Sequence, residues 1–86
     1  MTTLFKALGD PTRLAIVRLL RSRSMTPSEL LDHLRIAQPT LSHHLDILKR
    51  ADLVATRREG QFIHYSLNMS VLDMALEFFV TMKKRR

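Results

Sequence analysis

Residues 25–53 read MTPSELLDHLRIAQPTLSHHLDILKRADL and contain two short helical patterns separated by only three residues, 35–37. The first pattern opens with a helix-start signal. Thr26 can accept a hydrogen bond from an early backbone N–H, Pro27 suits the first turn, and Glu29 stands three residues after Thr26, as a capping box requires. The sequence therefore predicts a helix that begins immediately after Thr26 and continues to about residue 34.

The second helical pattern has one apolar stripe, formed by Leu41, Leu45 and Leu48 at i, i+4 and i+7. The opposite side is polar and carries Ser42, His43, Asp46, Lys49 and Arg50. Two short helices joined by a tight turn, the second with a hydrogen-bonding outer face, are typical of a helix-turn-helix, here residues 26–50. A plain helical hairpin with a solvated outer face fits this stretch equally well, so the flanking sequence has to distinguish them.

Two further helices are predicted before this stretch. The first covers residues 2–8 and ends at Gly9, a residue that commonly follows a helix. Asp10 is suited to cap the next helix and Pro11 to occupy its first turn. The apolar residues that follow predict a second helix that stops near Ser22.

After the helix-turn-helix, the pattern changes to that of a β-hairpin over residues 53–67. Residues 53–58 and 62–67 are rich in β-branched and aromatic side chains, and 59–61 (Glu-Gly-Gln) predict a three-residue loop with a glycine at the positive-φ position. In the second strand, one face is expected to carry Ile63, Tyr65 and Leu67. Arg57 and Arg58 flank the tip, so the hairpin resembles a basic wing that could contact the DNA backbone or minor groove. A solvated edge that discourages strand pairing is the other explanation of the two arginines.

The last predicted helix, residues 70–82 (SVLDMALEFFVTM), is apolar over more than one face. Its polar residues are Asp73, Glu77 and Thr81, besides Ser70 at its start. Packing on one core does not require so much apolar surface, whereas an isologous dimer does. We predict dimerisation through residues 1–22 and 69–84, with an interface formed by Leu4, Phe5, Leu72, Ala75, Leu76, Phe79 and Met82. The alternative is that this helix only covers the chain's own core.

Length and composition bound the remaining possibilities. The 86 residues suffice for one domain, and the complete lack of cysteine removes disulfides and thiolate metal sites. The net charge is +6, but residues 83–86 supply four positive charges and leave ten basic against eight acidic side chains elsewhere. This basic tail could touch phosphate, aid solubility or simply fray. The sequence contains no run of 18 apolar residues and no signal-peptide plan, so we predict a cytoplasmic, nucleoid-associated protein without membrane contact.

Together these elements predict a mainly α chain with a small β-hairpin, in the order α-α-α-α-β-β-α, forming a single winged helix-turn-helix domain over residues 1–86. The sequence resembles the ArsR/SmtB family of bacterial winged helix-turn-helix repressors over essentially its whole length. The segments that carry this resemblance are LFKALGDPTRLAIVRLL (4–20), TPSELLDHL (26–34), AQPTLSHHLDILKRADLV (37–54) and RREGQFIHYSL (57–67). The stretch GQFIHYSLN (60–68) is also similar to the SdpR-like branch, which lacks an obvious metal site.

The resemblance implies a homodimer that binds an inverted-repeat operator in double-stranded DNA and represses transcription. Matched position by position, it implies DNA contacts by Gln38, Thr40, Ser42 and His43, and wing contacts by Arg57, Arg58 and Gln61. The chemistry is suitable, since glutamine can pair bidentately with adenine and hydroxyl or imidazole groups can reach base edges or phosphates. His44 lies about 60° from the leucine stripe at ~100° per residue, so we predict a half-buried side chain rather than a base contact.

The metal-sensing ligands found in many members of this family have no counterpart here. The predicted third helix has no cysteine, and the last helix offers Asp73 and Glu77 without a histidine, which is a poor transition-metal site. We predict no metal and no cofactor, and the inducing signal stays open between an organic ligand, a partner protein and no effector at all.

Other classes of function receive less support. Gly9 and Gly60 are the only glycines, so no phosphate-binding glycine loop exists, and no catalytic motif is present. Ser42 and His43 are adjacent on a helix and do not face each other, so they are not a catalytic pair. We therefore predict that the protein is not an enzyme. Two alternatives to an operator-binding regulator stay open: a winged-helix module that binds another protein, and a sequence-neutral DNA-binding protein.

Overall fold

The computed structural model describes residues 1–84 and shows five helices and one antiparallel hairpin in the predicted order. The elements are α1 (Thr2–Leu8), α2 (Pro11–Ser22), α3 (Pro27–Leu31), α4 (Gln38–Arg50), β1 (Val54–Glu59), β2 (Phe62–Leu67) and α5 (Met69–Lys84). None of the helices among these residues combines the length and apolar character that a membrane crossing needs. The part of the basic tail at positions 85 and 86 lies outside the described residues.

The predicted helix starts are formed by the expected side chains. Asp10 accepts a hydrogen bond from the backbone N–H of Arg13 at 3.0 Å and thereby caps α2. Thr26 and Glu29 form the complete capping box of α3: Thr26 Oγ1 accepts from the Glu29 N–H at 3.2 Å, and Glu29 Oε1 accepts from the Thr26 N–H at 2.9 Å. These bonds satisfy backbone donors that a helix leaves unpaired at its first turn.

Helix α3 is shorter than the sequence pattern indicates, because it ends at Leu31 instead of continuing to residue 34. The N–H of His33 bonds to the carbonyl of Leu30 and that of Leu34 bonds to Leu31, which is the i to i−3 pattern of a tightened final turn. The helical periodicity of the leucines therefore extends beyond the regular helix. This tightened turn brings the chain to α4, which occupies residues 38–50 as predicted.

The core lies between the helix-turn-helix and the helices that flank it. The largest fully buried side chains are Ile16, Leu30, Leu41, Leu48 and Leu53. They come from α2, α3, α4 and the segment before β1, so one cluster holds the two helices of the motif against α2 and the hairpin. Each such leucine contributes about 2 kcal/mol relative to an exposed position, and this cluster fixes which face of α4 points outward.

The hairpin turn has two residues, so the predicted three-residue loop is wrong. Glu59 pairs with Phe62 as the last pair of the antiparallel ladder, leaving Gly60 and Gln61 as the turn. Gly60 at the first turn position has φ +62°, whereas Gln61 at the second does not have a positive φ, and this combination is typical of a type II′ hairpin. The sequence pattern placed Glu59 in the loop that separates the two β-rich runs, but Glu59 pairs with Phe62 and so extends β1 by one residue.

The hairpin also makes one contact that the sequence did not predict. Met25 exchanges two backbone hydrogen bonds with Tyr65, at 3.0 and 2.8 Å, and so adds a single bridge to the outer edge of β2. This bridge joins the start of α3 to the wing, and the Met25 side chain is buried in the core. The wing is therefore attached to the helix-turn-helix by backbone bonds as well as by the chain connection.

Candidate nucleic-acid interface

Helix α4 has one face buried in the core and one face exposed to solvent. Leu41, Leu45 and Leu48 are buried, with at most 2% of their surface exposed. The side chains predicted to contact DNA from this helix are all exposed: Gln38, Thr40, Ser42 and His43. Because these four side chains lie in the first half of α4, the N-terminal turns of the helix can contact another molecule while the leucines remain packed in the core.

The charged residues at the end of α4 are arranged less simply. Asp46 and Arg50 form an i, i+4 ion pair with 2.8 Å between carboxylate oxygen and guanidinium nitrogen. Lys49 lies between them in the sequence and is exposed. The pair reduces the net charge of this end of the helix, and an exposed pair of this kind contributes only about 0.3–0.5 kcal/mol to stability. The second half of α4 therefore keeps one net positive charge, and the first half presents the side chains predicted to contact bases.

The two arginines of the wing lie on opposite faces of the hairpin. Arg57 is opposite His64 in the strand register, whereas Arg58 is opposite Ile63. Arg57 contacts Glu59 at 3.4 Å, and Glu59 also lies 3.3 Å from the His64 ring. Glu59 therefore offsets part of the charge of Arg57, a feature that the sequence analysis missed.

Gln61 and Arg58 complete the tip of the wing, and both are exposed. Gln61 is the second residue of the turn. Arg58 lies on the same face of β1 as Val54 and Thr56. On β2, the residues opposite these three are Ile63, Tyr65 and Leu67, which share one face as the sequence predicts. The tip thus carries a cation and an amide beyond the part of the hairpin that packs on the core.

His44 is half-buried, as predicted, with 13% of its side chain exposed. Its Nδ1 lies 3.2 Å from Nη1 of Arg13 and 3.9 Å from a carboxylate oxygen of Asp10. The sequence did not predict this contact. The two residues are 31 positions apart, and no local pattern reports a pairing at that distance.

The pKa values of two carboxyl groups near these elements are shifted downward. The backbone hydrogen bond from Arg13 is the main reason that the pKa of Asp10 lies below its usual value, and the Arg13 charge adds to it. The backbone hydrogen bond from Thr26 lowers the pKa of Glu29, helped by the Arg23 guanidinium at 3.2 Å. Both groups therefore serve as ionised helix caps at neutral pH.

The residues predicted for the dimer interface fall into two groups. Leu76, Phe79 and Met82 expose between 56% and 62% of their surface, as an uncovered interface would. Leu4 and Ala75 are instead buried in the chain's own core at 6% each, so they have little surface left for a partner. These two were assigned by helical spacing alone, which does not show how a neighbouring helix covers a position.

Phe5 and Leu72 are intermediate between the two groups. Phe5 packs against the rings of Phe78 and Phe79, with centroids 5.5 and 5.2 Å away, and thereby joins α1 to α5. Leu72 is partly buried against the core. The exposed surface of α5 also includes Met74, at 56%, and Phe78, which the sequence analysis did not assign to the interface. Both line a shallow groove of about 600 Å³ along α5.

Metal-ligating side chains are dispersed in the structure. Within residues 1–84, no three His, Asp or Glu side chains approach closely enough to form a candidate metal site. Asp73 and Glu77 both line the groove on α5, next to Met74 and Phe78.

A short third helix, an outward polar helix and a basic two-stranded wing define the class of winged helix-turn-helix DNA-binding proteins. The chain belongs to the arsR family of bacterial regulatory proteins, whose family model matches residues 10–56. It is a DNA-binding transcriptional regulator, and the predictions of the family, the fold and a repressor function are confirmed at this level.

Several relatives carry names of regulators. The transcriptional repressor SdpR of Bacillus subtilis is 44% identical over 93% of this chain and 89% of its own length. The arsenical resistance operon repressor of Staphylococcus xylosus is 42% identical over 85% of this chain and 70% of its own length. Among solved structures, HlyU of Vibrio cholerae superimposes with a TM-score of 0.77 at 33% identity, covering 98% of this chain and 91% of that one. A crystal structure of another ArsR-family regulator shares the fold, with a TM-score of 0.89 and 23% identity over 96% of this chain and 91% of that chain.

Proposed function

We propose that the chain is a single DNA-binding domain that acts as a homodimeric repressor and binds an inverted-repeat operator. Helix α4 would enter the major groove, and the wing would contact the flanking backbone. The observation that carries this proposal is the exposure of four hydrogen-bonding side chains on the first half of α4, opposite a fully buried leucine stripe. A rigid core behind an outward polar helix is what base recognition requires.

Each proposed DNA contact has a distinct chemical role. Gln38 can donate and accept at the N6 and N7 positions of adenine, and Thr40 can bond phosphate or contact a thymine methyl. Ser42 and His43 can reach base edges or phosphate oxygens. These side chains would supply sequence preference, whereas the wing would supply position and affinity.

The wing contacts follow from the placement of its arginines. Arg58 and Gln61, at the tip, are free to bond phosphate or enter the minor groove. Arg57 would first exchange its Glu59 partner for a phosphate, since the guanidinium and carboxylate are only 3.4 Å apart. We therefore infer a larger contribution from Arg58 than from Arg57 to DNA affinity and to its salt dependence.

The homodimer is supported by the uncovered apolar surface of α5. Leu76, Phe79 and Met82 are exposed together with Met74 and Phe78, and the single buried residue of this 16-residue helix is Ala75. A contiguous apolar patch of this kind is typical of an interface. Two copies related by a two-fold axis would present two α4 helices to successive major grooves, which is why an inverted repeat is expected.

Binding to DNA is tested by fluorescence anisotropy on the DNA upstream of the protein's own gene and on a scrambled duplex, at one fixed salt concentration. We expect clear preference for the upstream fragment and saturation at one dimer per site. His43→Ala should abolish the preference while leaving the dimer intact, and His33→Ala, an exposed histidine away from α4, serves as the matched control. Equal weak binding to both duplexes would contradict operator recognition at this site.

Two alternatives give different results in the same assay. A winged-helix module for protein binding would be indifferent to His43→Ala. A sequence-neutral DNA-binding protein would lose nearly all affinity when residues 83–86 are deleted and would not distinguish the duplexes at any stage. Under our proposal, that deletion weakens binding to both duplexes modestly and leaves the preference unchanged.

Repression, location and regulation form the remaining parts of the proposal. A promoter–reporter fusion should be silenced by the wild-type chain and derepressed by His43→Ala, whereas activation would raise the signal above the empty-vector level. Because the protein would bind an operator, we expect it to be cytoplasmic and associated with the nucleoid. An effector, whether an organic ligand or a partner protein, would relieve repression by binding the dimer.

A further inference from the structure

Arg13 bonds to two elements besides its own helix α2. Its Nε donates to the carbonyl of Ala7 at 2.7 Å, and Nη2 donates to the carbonyl of Lys6 at 3.2 Å, both in the last turn of α1. Its Nη1 lies 3.2 Å from Nδ1 of His44 on α4. One half-buried guanidinium thus joins the end of α1 to the recognition helix.

The chemistry of these groups determines the direction of each bond. A guanidinium in a protein keeps its protons, so Nη1 donates and His44 Nδ1 accepts, which places the imidazole proton on Nε2. The carbonyls at the C-terminal end of α1 carry partial negative charge, which the Arg13 cation offsets, and the Lys6 carbonyl also accepts from the Gly9 N–H at 3.1 Å. Asp10, 3.9 Å from the same His44 nitrogen, balances the positive charge.

The position of this link in the fold is what suggests a role beyond stability. His44 is adjacent to His43, one of the proposed DNA contacts. Helix α1 packs through Phe5 on Phe78 and Phe79 of α5, whose outer face we propose as the dimer interface. Arg13 is therefore the polar connection between the helices of the proposed dimer surface and the helix proposed to read DNA.

We propose that Arg13 is a positioning residue for DNA recognition, which holds α4 in its DNA-binding orientation through the hydrogen bond to His44. This inference rests on the proposed function, because it assigns a task to a residue that does not touch DNA. It requires a hydrogen-bond acceptor at position 44, whereas simple packing requires only a side chain of suitable volume.

The first experiment compares His44→Asn with His44→Leu by operator anisotropy. Asparagine places an oxygen close to the position of Nδ1 and can accept from Arg13, while leucine fills the space without an acceptor. We expect affinity within about three-fold of wild type for His44→Asn and a loss of about ten-fold for His44→Leu, on the order of one hydrogen bond to a charged group. His33→Leu and His33→Asn, at an exposed position, are the matched controls.

A double-mutant cycle tests whether Arg13 and His44 act through each other. Arg13→Gln should weaken operator binding by about ten-fold or more, and adding His44→Leu to it should cause no further loss. Additive losses would overturn the proposal, as would wild-type affinity for His44→Leu or equal losses for the asparagine and leucine variants. Sedimentation of each variant separates these effects from a changed dimer.

A measurement without DNA keeps this inference distinguishable from the proposed function. Hydrogen exchange of the α4 amides should be about ten-fold faster in His44→Leu and close to wild type in His44→Asn, if one hydrogen bond holds the helix. Unchanged exchange in His44→Leu would overturn the positioning role even if the operator is bound. The expected exchange together with no operator preference in the wild type would refute the proposed function and leave the positioning of α4 established.

Discussion

The apolar face of α5 gives a quantitative prediction for Leu76→Ala. Leu76 is 62% exposed, so its side chain contributes little to the core of its own chain. The substitution removes three carbon atoms, worth about 0.8 kcal/mol each when buried. Scaling by the exposed fraction gives about 1.5 kcal/mol for each chain and about 3 kcal/mol for a dimer that uses the residue twice. The dimer dissociation constant should rise about a hundred-fold.

Sedimentation equilibrium over a range of concentrations measures this change directly. Ile63→Ala is the matched control, since Ile63 is a partly exposed aliphatic residue on β2, outside the two segments proposed for dimerisation. The thermal midpoint of Leu76→Ala, measured where both proteins are monomeric, should stay close to wild type because alanine favours the helix. An unchanged dimer constant for Leu76→Ala, or a wild-type chain that stays monomeric at every concentration, would refute the assignment of α5.

Three further predictions concern stability. Leu41→Ala should cost about 2–5 kcal/mol in urea unfolding, because Leu41 on the inner face of α4 is completely buried; a loss below about 1 kcal/mol would contradict the packing described for α4. Gly60→Ala should cost about 1–2 kcal/mol through its positive φ alone, since no atom lies within 4 Å of the added methyl group; a stabilised variant would show that the turn is not held at that angle. The lowered pKa of Glu29 means that its stabilising effect is present above about pH 4 and disappears as the pH falls through the folded-state pKa. Glu29→Gln should therefore be less stable than wild type at pH 7 and approach it at low pH in chemical denaturation, and a constant difference across pH would exclude this cause.

The features that the sequence predicted well are those with a local signal. The capping box at Thr26 and Glu29 and the aspartate cap at Asp10 fixed two helix starts, because each involves residues three positions apart. The leucine stripe of α4 fixed its buried face for the same reason, since Leu41, Leu45 and Leu48 are neighbours on one helix. Base-contact candidates followed from that face together with the family resemblance.

The features that the sequence did not predict depend on residues far apart in the chain. The contact between Arg13 and His44 spans 31 positions, and the bridge between Met25 and Tyr65 spans 40, so neither leaves a periodic trace. The sequence also did not determine the register of the hairpin. Glu59 has a poor strand propensity, and its place in β1 depends on its pairing with the opposite strand. Helical spacing likewise does not predict that Ala75 is covered by the core while Leu76 stays exposed.

The separation of α4 into a buried stripe and a polar face has an evolutionary consequence. Substitutions at positions 38, 40, 42 and 43 replace side chains that face solvent, so, if these residues contact DNA as we propose, they can change which operator is recognised at little cost to folding. Gene duplicates could therefore diverge in target while keeping the same scaffold. Position 44 is the exception, because its ring is held by Arg13, and variation there would alter the presentation of all four neighbouring positions at once.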